Sequence, residues 1–493
     1  MDYKGITQKC IKIILFLVLT YFVIFNQLGK ETIRLWDESR VALNAYEMYQ
    51  NGFSIVTTFE GKPDMWNVKP PLLIWMQVAC MKVFGANEIA VRLPAAIGGF
   101  LTCCLLMWFG LKYMKSYWFG LLSVIVLITS KGFIFEHKIR TGEYEGILVL
   151  FTTLYLLSFF LYTELKEEKD KRFFLNLAFV GLTLAVLTKG IAGLLITPGV
   201  LLYIIYKKQF LSTLKRKQTY INLFLFLATI ASYYLLREHY NEGYLTTVWM
   251  EEIGGRYEGN EQFKSKFSYY FSRFSNINFT NWYPFLIVGT GVAFIWEKPL
   301  LRNLTIYSLL VSFVFFMVIS ISGTHYPWYD MPAFPILSLI TAIALYWILN
   351  ALLEYEQQWK KLPRKILPYV LIISLCLPAY NQILKEEANR QDRNDLPMYD
   401  VTYYLRDAFN GKREIDGYKF LYNGYYPHNL FYLKKLKNEK NINIEIADGN
   451  TLEKGNKVIV HQKDVLEYIK ANYNYSVFEE HKSVTIVEIE GSL

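Results

Sequence analysis

The 493 residues are 53% hydrophobic, 17% aromatic and only 19% charged, below the roughly 25% charged of an average globular domain. That balance argues against a soluble single domain and for a multi-spanning membrane protein with a soluble part. The net charge of +9 comes from Lys and Arg gathered between hydrophobic stretches, so it is not a nucleic-acid signal and no nucleic-acid partner is expected.

A spanning helix needs about 20 apolar residues. The first such stretch, near 11–28, follows Lys9 and Lys12 and lacks a small-residue cleavage site. It reads as a retained span rather than a signal peptide. Ten further spans are expected near 90–111, 117–135, 146–163, 173–188, 191–206, 220–236, 282–296, 303–321, 329–350 and 366–384. The stretch "PLLIWMQVACMKVF" (71–84) is too short to cross and is expected to lie in the interface or re-enter. Five cysteines sit in or beside apolar stretches without metal-ligand spacing, which makes them inert small apolar residues.

Orientation follows from the basic connectors. With the N-terminus cytoplasmic, "KYMKS", "ELKEEKDKR", "YKKQFLSTLKRKQ", "EKPLLR" and "QQWKKLPRK" are all cytoplasmic. The connectors 29–89, 132–145, 188–190, 237–281 and 322–328 then face outward, as does the tail. That tail, 385–493, alternates strand-like pieces ("YKFLYNG", "INIEIAD", "NKVIVHQ", "SVTIVEIE") with helix-like ones ("HNLFYLKKLK", "DVLEYIKANY"). It is expected to form a small α/β domain on the outer face, beyond a membrane domain of residues 1–384.

The unusual ionisable residues fall on that outer face. Asp37, Glu38 and Arg40 follow the first span in "LWDESRVAL". Lys69 lies in "NVKPPLLIW", and Arg140, Glu143 and Glu145 lie in "IRTGEYEG". Lys189 lies in "LTKGIAG", Arg256 in "GGRYEG", and His325 and Tyr329 in "GTHYPWYDMPAFP". Each has a plainer reading when taken alone. Asp37 caps an amphipathic helix over 38–51 with a stripe of Val41, Ala45, Met48 and Tyr49. Lys189 snorkels to the interface. "KPP" stops one element and starts another, and His325 is an ordinary interfacial histidine. Ionisable groups at membrane depth are costly, however, and mark functional sites. Cations beside acids suit an anionic lipid phosphate: Lys supplies a point charge and Arg a fork for phosphate oxygens. Such cations also stabilise a leaving phosphate. A carboxylate then serves as general base on an acceptor hydroxyl, with geometry supplying most of the effect.

The run "WDESRVALNAYEMYQNGFSIVTTFEGKPDMWNVKPPLLIWM" resembles the first outer loop of the GT-C glycosyltransferases, in the branch holding protein O-mannosyltransferase-like proteins and lipid A aminoarabinose transferases. "VRLPAAIGG", "RTGEYEGILVLFTTL", "LTKGIAGLL" and "THYPWYDMPAFPILSL" are similar to later elements of that family, in order, over roughly residues 10–350. The resemblance implies a GT-C fold of about 11 to 13 spans in a bacterial inner membrane, with the site and the tail in the periplasm. It implies inverting transfer of a sugar from a polyprenyl-phosphate donor to a lipid, protein or glycan acceptor. Asp37, with Glu38 beside it, would carry the catalytic role. Lys69 would contact the donor phosphate, assisted by Arg40, Lys189 and Arg256. Arg140, Glu143, Glu145, His325 and Tyr329 would line the substrate site. Many aminoarabinose transferases carry an acid immediately before the "KPP" lysine, where it helps hold a metal; here that residue is Val68, so no cofactor or metal is expected. The rival from another class is a transporter or flippase of a lipid-linked sugar. It is disfavoured because the charges crowd one face and no internal repeat is visible. A non-catalytic, glycan-binding relative is disfavoured by the presence of both Asp37 and Lys69.

Overall fold

Each expected apolar stretch contains a helix in the computed structural model, which describes residues 3–135, 137–254, 265–358, 366–388 and 396–493. The membrane part runs α1 (Tyr3–Ile24), α2 (Asp37–Asn51), α3 (Leu72–Phe84), α4 (Glu88–Lys112), α5 (Tyr117–Ile128), α6 (Glu145–Glu164) and α7 (Glu168–Lys189). It continues through α8 (Thr197–Tyr206), α9 (Lys217–Tyr240), α10 (Tyr283–Ile295), α11 (Pro299–Ile321), α12 (Phe334–Gln358) and α13 (Leu367–Ala388). Among the described residues, eight helices are long and apolar enough to cross a membrane. The other three expected spans, α5, α8 and α10, have only 12, 10 and 13 residues. At 1.5 Å per residue they reach about 15–20 Å, short of the roughly 30 Å hydrocarbon core. Helix α3, also 13 residues, packs on α2 and α4.

Small residues set the helix spacing around the site. A Cβ added at Gly98 of α4 would meet the Gly146 carbonyl oxygen at 2.4 Å, and one at Gly146 of α6 would meet the Ala95 carbonyl oxygen at 2.4 Å. Backbones approach this closely only where side chains are absent. Helix α4 starts cleanly because the Asn87 side chain accepts the Ala90 N–H at 2.9 Å. Helix α7 ends at Lys189 because Gly190 takes φ +56°, a conformation disfavoured for side-chain-bearing residues.

The loop after α1 departs from the expected one-sided helix. Helix α2 is buried almost all round from Glu38 to Met48, because α3 packs on it from the membrane domain and a tail helix packs on it from outside. Asp37 is not its cap. Trp36 takes the cap position at φ 72°, ψ −124° without a side-chain hydrogen bond, and Asp37 is the first helical residue.

The tail forms a five-stranded mixed sheet flanked by α14 (Leu396–Phe409), α15 (Pro427–Lys440) and α16 (Lys463–Asn472). After the small hairpin β1 (Thr58–Phe59) and β2 (Lys62–Pro63), its strands are β3 (Lys419–Phe420), β4 (Glu445–Ile446), β5 (Lys457–Val460), β6 (Tyr473–His481) and β7 (Val484–Ser492). Their order is β4-β3-β5-β7-β6, with β3 parallel to β4 and β5 and the rest antiparallel. Strand β6 and helix α14 went unread in the sequence. One buried cluster runs from the spans through α2 into α14 and α15. The Tyr46 and Phe431 rings meet edge-on at 5.6 Å. The Tyr432 hydroxyl donates to Glu88 at 2.7 Å and accepts the Ile33 N–H at 3.1 Å. The tail is thus docked on the loop that begins with Asp37.

Candidate active site

Glu38 organises the site without facing it. Its wholly buried carboxylate accepts hydrogen bonds from Arg92 Nε at 2.7 Å and Nη2 at 3.0 Å, from the Arg34 N–H at 2.7 Å and from the Gly142 N–H at 2.9 Å. Burial alone would raise its pKa, but the Arg92 guanidinium and the two backbone donors hold it down at about 2. The sequence placed Glu38 beside Asp37 as a catalytic group. Instead its acceptor positions are filled, and the Gly142 bond draws the 137–145 loop onto the start of α2.

That bond brings Glu143 to Asp37, and a third residue joins them. His137 Nδ1 lies 2.8 Å from both Glu143 carboxylate oxygens, and ligand atoms of Asp37, His137 and Glu143 all lie within 4.8 Å of one another. The His137 ring rests on Trp328 with centroids 4.0 Å apart. Burial alone would lower the His137 pKa, but the Glu143 carboxylate, with Asp37 and Glu145 behind it, raises it. Burial raises Glu143 in turn, with the Asp37 and Glu145 charges adding to it against the opposing pull of His137. His137 and Trp328 were missed in the sequence. "EHK" offers the same signal as the residues that were singled out, an ionisable group beside a span, but its six-residue distance from Glu143 matches no spacing rule.

On the membrane side, Lys189 pairs with Glu145 and lies 5.3 Å from the Tyr329 ring centroid. This pair, with Tyr329 and Trp328, opens on a pocket whose walls include Leu148, Ala192, Leu195 and Phe315. Lys69 sits 5.6 Å from the Tyr144 ring centroid and 3.8 Å from Glu252. Its loop is held by Tyr244, whose hydroxyl donates to the Val68 carbonyl at 2.6 Å, and by Asn67, whose amide donates to the Tyr144 hydroxyl at 2.9 Å.

Other expected site residues are engaged elsewhere. Arg40 forms a two-pronged pair with buried Asp64 at 2.8 and 2.6 Å and reaches the Tyr425 hydroxyl at 3.3 Å. Arg140 donates to the Val23, Ile24 and Asn26 carbonyls at the end of α1 and pairs with Glu387 at 2.8 Å. It is a cap for the first span rather than part of the Asp37 cluster. His325 is buried between the Tyr269 and Tyr270 rings and reaches the Ser320 carbonyl at 3.2 Å. Arg256 lies outside the described residues.

Val68, on which the expected absence of a metal rested, lies in an apolar cluster with Tyr233 and Tyr244. Asp37, His137 and Glu143 offer two carboxylates and an imidazole, a set that fits a divalent cation such as manganese(II). A cation held there would supply positive charge against a bound phosphate.

Residues 68–235 match the family model described as dolichyl-phosphate-mannose-protein mannosyltransferase. An uncharacterized protein of Aquifex aeolicus is 29% identical over 334 residues, 67% of this chain and 63% of that one. An undecaprenyl phosphate-alpha-4-amino-4-deoxy-L-arabinose arabinosyl transferase of Wigglesworthia glossinidia brevipalpis is 28% identical over 344 residues, 67% of this chain and 58% of that one. The chain therefore spans about three fifths of the length of the curated relatives it matches. Its fold is that of ArnT from Cupriavidus metallidurans, solved bound to undecaprenyl phosphate: the TM-score is 0.70 at 15% identity, over 96% of this chain and 97% of that one.

Proposed function

We propose that the chain is a membrane glycosyltransferase of the GT-C type, a reading supported by the family-model match and the similar arabinosyl transferases, and that it transfers a sugar from a polyprenyl-phosphate donor to an acceptor hydroxyl at the outer face of a bacterial inner membrane, with inversion. The observation that carries this reading is the convergence of Asp37 with His137 and Glu143, where the His137 ring rests on Trp328 and Trp328 lines a pocket with a charged end and apolar walls. Lys189 stands at the charged end, and Leu148, Ala192, Leu195 and Phe315 form walls suited to an isoprenoid chain. Lys69 and Lys189 meet the donor phosphate as point charges. Asp37 takes the acceptor proton as the hydroxyl attacks the anomeric carbon and the polyprenyl phosphate leaves from the opposite face. An ordinary Asp is a weak base, so proton transfer is late and alignment supplies most of the rate. His137 and Glu143 lie within reach of Asp37 and hold its orientation and local charge.

The test is transfer from radiolabelled undecaprenyl-phosphate sugars to envelope fractions. Asp37→Asn should lose about a thousandfold or more in transfer, the weight of a general base with its alignment, while still binding undecaprenyl phosphate. The labelled fraction identifies the acceptor. Transfer retained in that variant would sink the mechanism, and Asp37-independent movement of the lipid across vesicles would favour a transporter.

A further inference from the structure

Three segments far apart in the chain bring aromatic faces together beside Asp37. Trp36, the residue before it, is 59% exposed, and Trp66 in the following loop is 46% exposed. The Trp36 and Tyr425 ring centroids are 5.5 Å apart, and Tyr425 stacks on Phe59 of the hairpin at 6.4 Å. Arg40 braces the group: its guanidinium lies 3.5 Å from the Phe59 ring centroid and 5.4 Å from that of Trp66. Asp64 fixes that guanidinium in turn.

The backbone at Trp36 is held in an unfavourable conformation to present its ring. A φ of 72° with ψ −124° is rare for a residue with a side chain. It is retained because the Trp36 carbonyl accepts the Ser39 hydroxyl at 2.8 Å and the Arg40 N–H at 3.0 Å. Strain kept beside a reactive group is a mark of function. A membrane-interface belt does not account for these rings. They lie among Arg40, Asp64 and a loop of the docked tail domain, not on the flank of a span.

We propose that Trp36, Tyr425 and Trp66 form a carbohydrate platform that seats a pyranose ring of the acceptor against Asp37. This rests on Asp37 being the base, and it assigns the acceptor to the saccharides. The flat apolar face of a pyranose packs on aromatic rings, and its rim hydroxyls meet the Arg40 and Tyr425 edge. A peptide acceptor would be expected to pair with a strand edge, and the adjacent strands β1 and β2 are two residues each. A lipid chain would partition into the apolar pocket between the spans.

Saturation-transfer NMR on the full-length protein in nanodiscs tests this with a panel of glucose, glucosamine, N-acetylglucosamine and galacturonic acid disaccharides. At least one should receive saturation on its ring C–H face. Trp36→Gly removes the ring while suiting the positive φ and should weaken that binding about tenfold or more, the scale of a lost aromatic contact. Trp36→Phe should keep most of it. Undecaprenyl phosphate binding, unchanged in both variants, shows that they are folded. The proposal is overturned if no panel sugar binds, if Trp36→Gly binds it like wild type, or if a Ser/Thr-rich peptide shows the Trp36-dependent signal instead. Because the readout is equilibrium binding, the platform can fail while Asp37-dependent transfer stands, and the reverse.

Discussion

Replacing Glu38 by Ala leaves the fully buried Arg92 guanidinium without its counter-charge and frees the Gly142 N–H from α2. Breaking such a buried pair costs about 3–5 kcal/mol, so this variant should melt well below wild type in detergent. A pair that carries no weight would leave the midpoint unmoved. The carboxyl pKa is lowered to about 2 in the fold, so its contribution is complete above the ordinary carboxyl range, near pH 4.5. It is lost as pH falls from there toward 2. A second prediction concerns the neighbouring donors. Manganese(II) added to the purified protein should bind at Asp37, His137 and Glu143. His137→Ala should weaken that binding about tenfold or more, since even an outer-shell partner of a metal ligand is worth that much. Unaltered paramagnetic resonance in the variant would place the ion elsewhere. At this scale Asp37, Lys69 and Lys189 were conspicuous because ionisable groups beside apolar runs are costly and therefore informative. The distinct surroundings of Asp37 and Glu38 were not. Adjacent residues on a helix point about 100° apart, and only the packed neighbours show which one is enclosed.

Among the elements, the contact between α4 and α6 depends on glycine. Gly146→Val would press a side chain against the Ala95 carbonyl, and overpacking of this kind costs about 1–3 kcal/mol. Because α6 begins at Glu145, the variant should also displace Glu145 and Lys189 and weaken undecaprenyl phosphate binding. Gly291→Ala, with nothing within 4 Å of the added carbon, should leave both melting and lipid binding unchanged. A Gly146→Val protein that melts and binds like wild type would show that the two helices are free to separate. Span positions were readable from apolar length. The shortness of α5, α8 and α10 was not, because an apolar run continues through a turn or a 3-10 segment without changing composition. The stretch 191–206 shows this: Gly190–Leu194 is a 3-10 turn and only Thr197–Tyr206 is helical.

On the scale of the whole molecule, the tail is part of the site's construction, since Tyr425 and α15 close over the loop that begins with Asp37. His428 at the start of α15 is buried between Tyr399 and Tyr426. Burial, with His461 nearby, lowers its pKa to about 3, and burial lowers His461 to about 4. Both folded values lie below the ordinary histidine value near 6.5. The stability they hold is therefore present above that pH and is lost as pH falls through it, by about 1.4 kcal/mol per pH unit for each group. Limited proteolysis of the tail should accelerate between pH 7 and pH 5 in wild type and less so in His428→Phe. Equal acid sensitivity in the two would remove His428 as the cause.

The sequence by itself determined the membrane class, the positions of eight spans and the α/β character of the tail, and it singled out Asp37, Lys69, Glu143 and Lys189. All of these follow from local quantities: apolar length, alternation, and the placement of charges between apolar runs. Only the tertiary structure decided that His137 joins Asp37, that Glu38 is an anchor, that Arg140 caps the first span, and that Tyr425 arrives beside Trp36. Those pairings cross about fifty to nearly four hundred residues. Which partners meet over such distances is set by how helices and a docked domain pack together, and no local property of the chain encodes it.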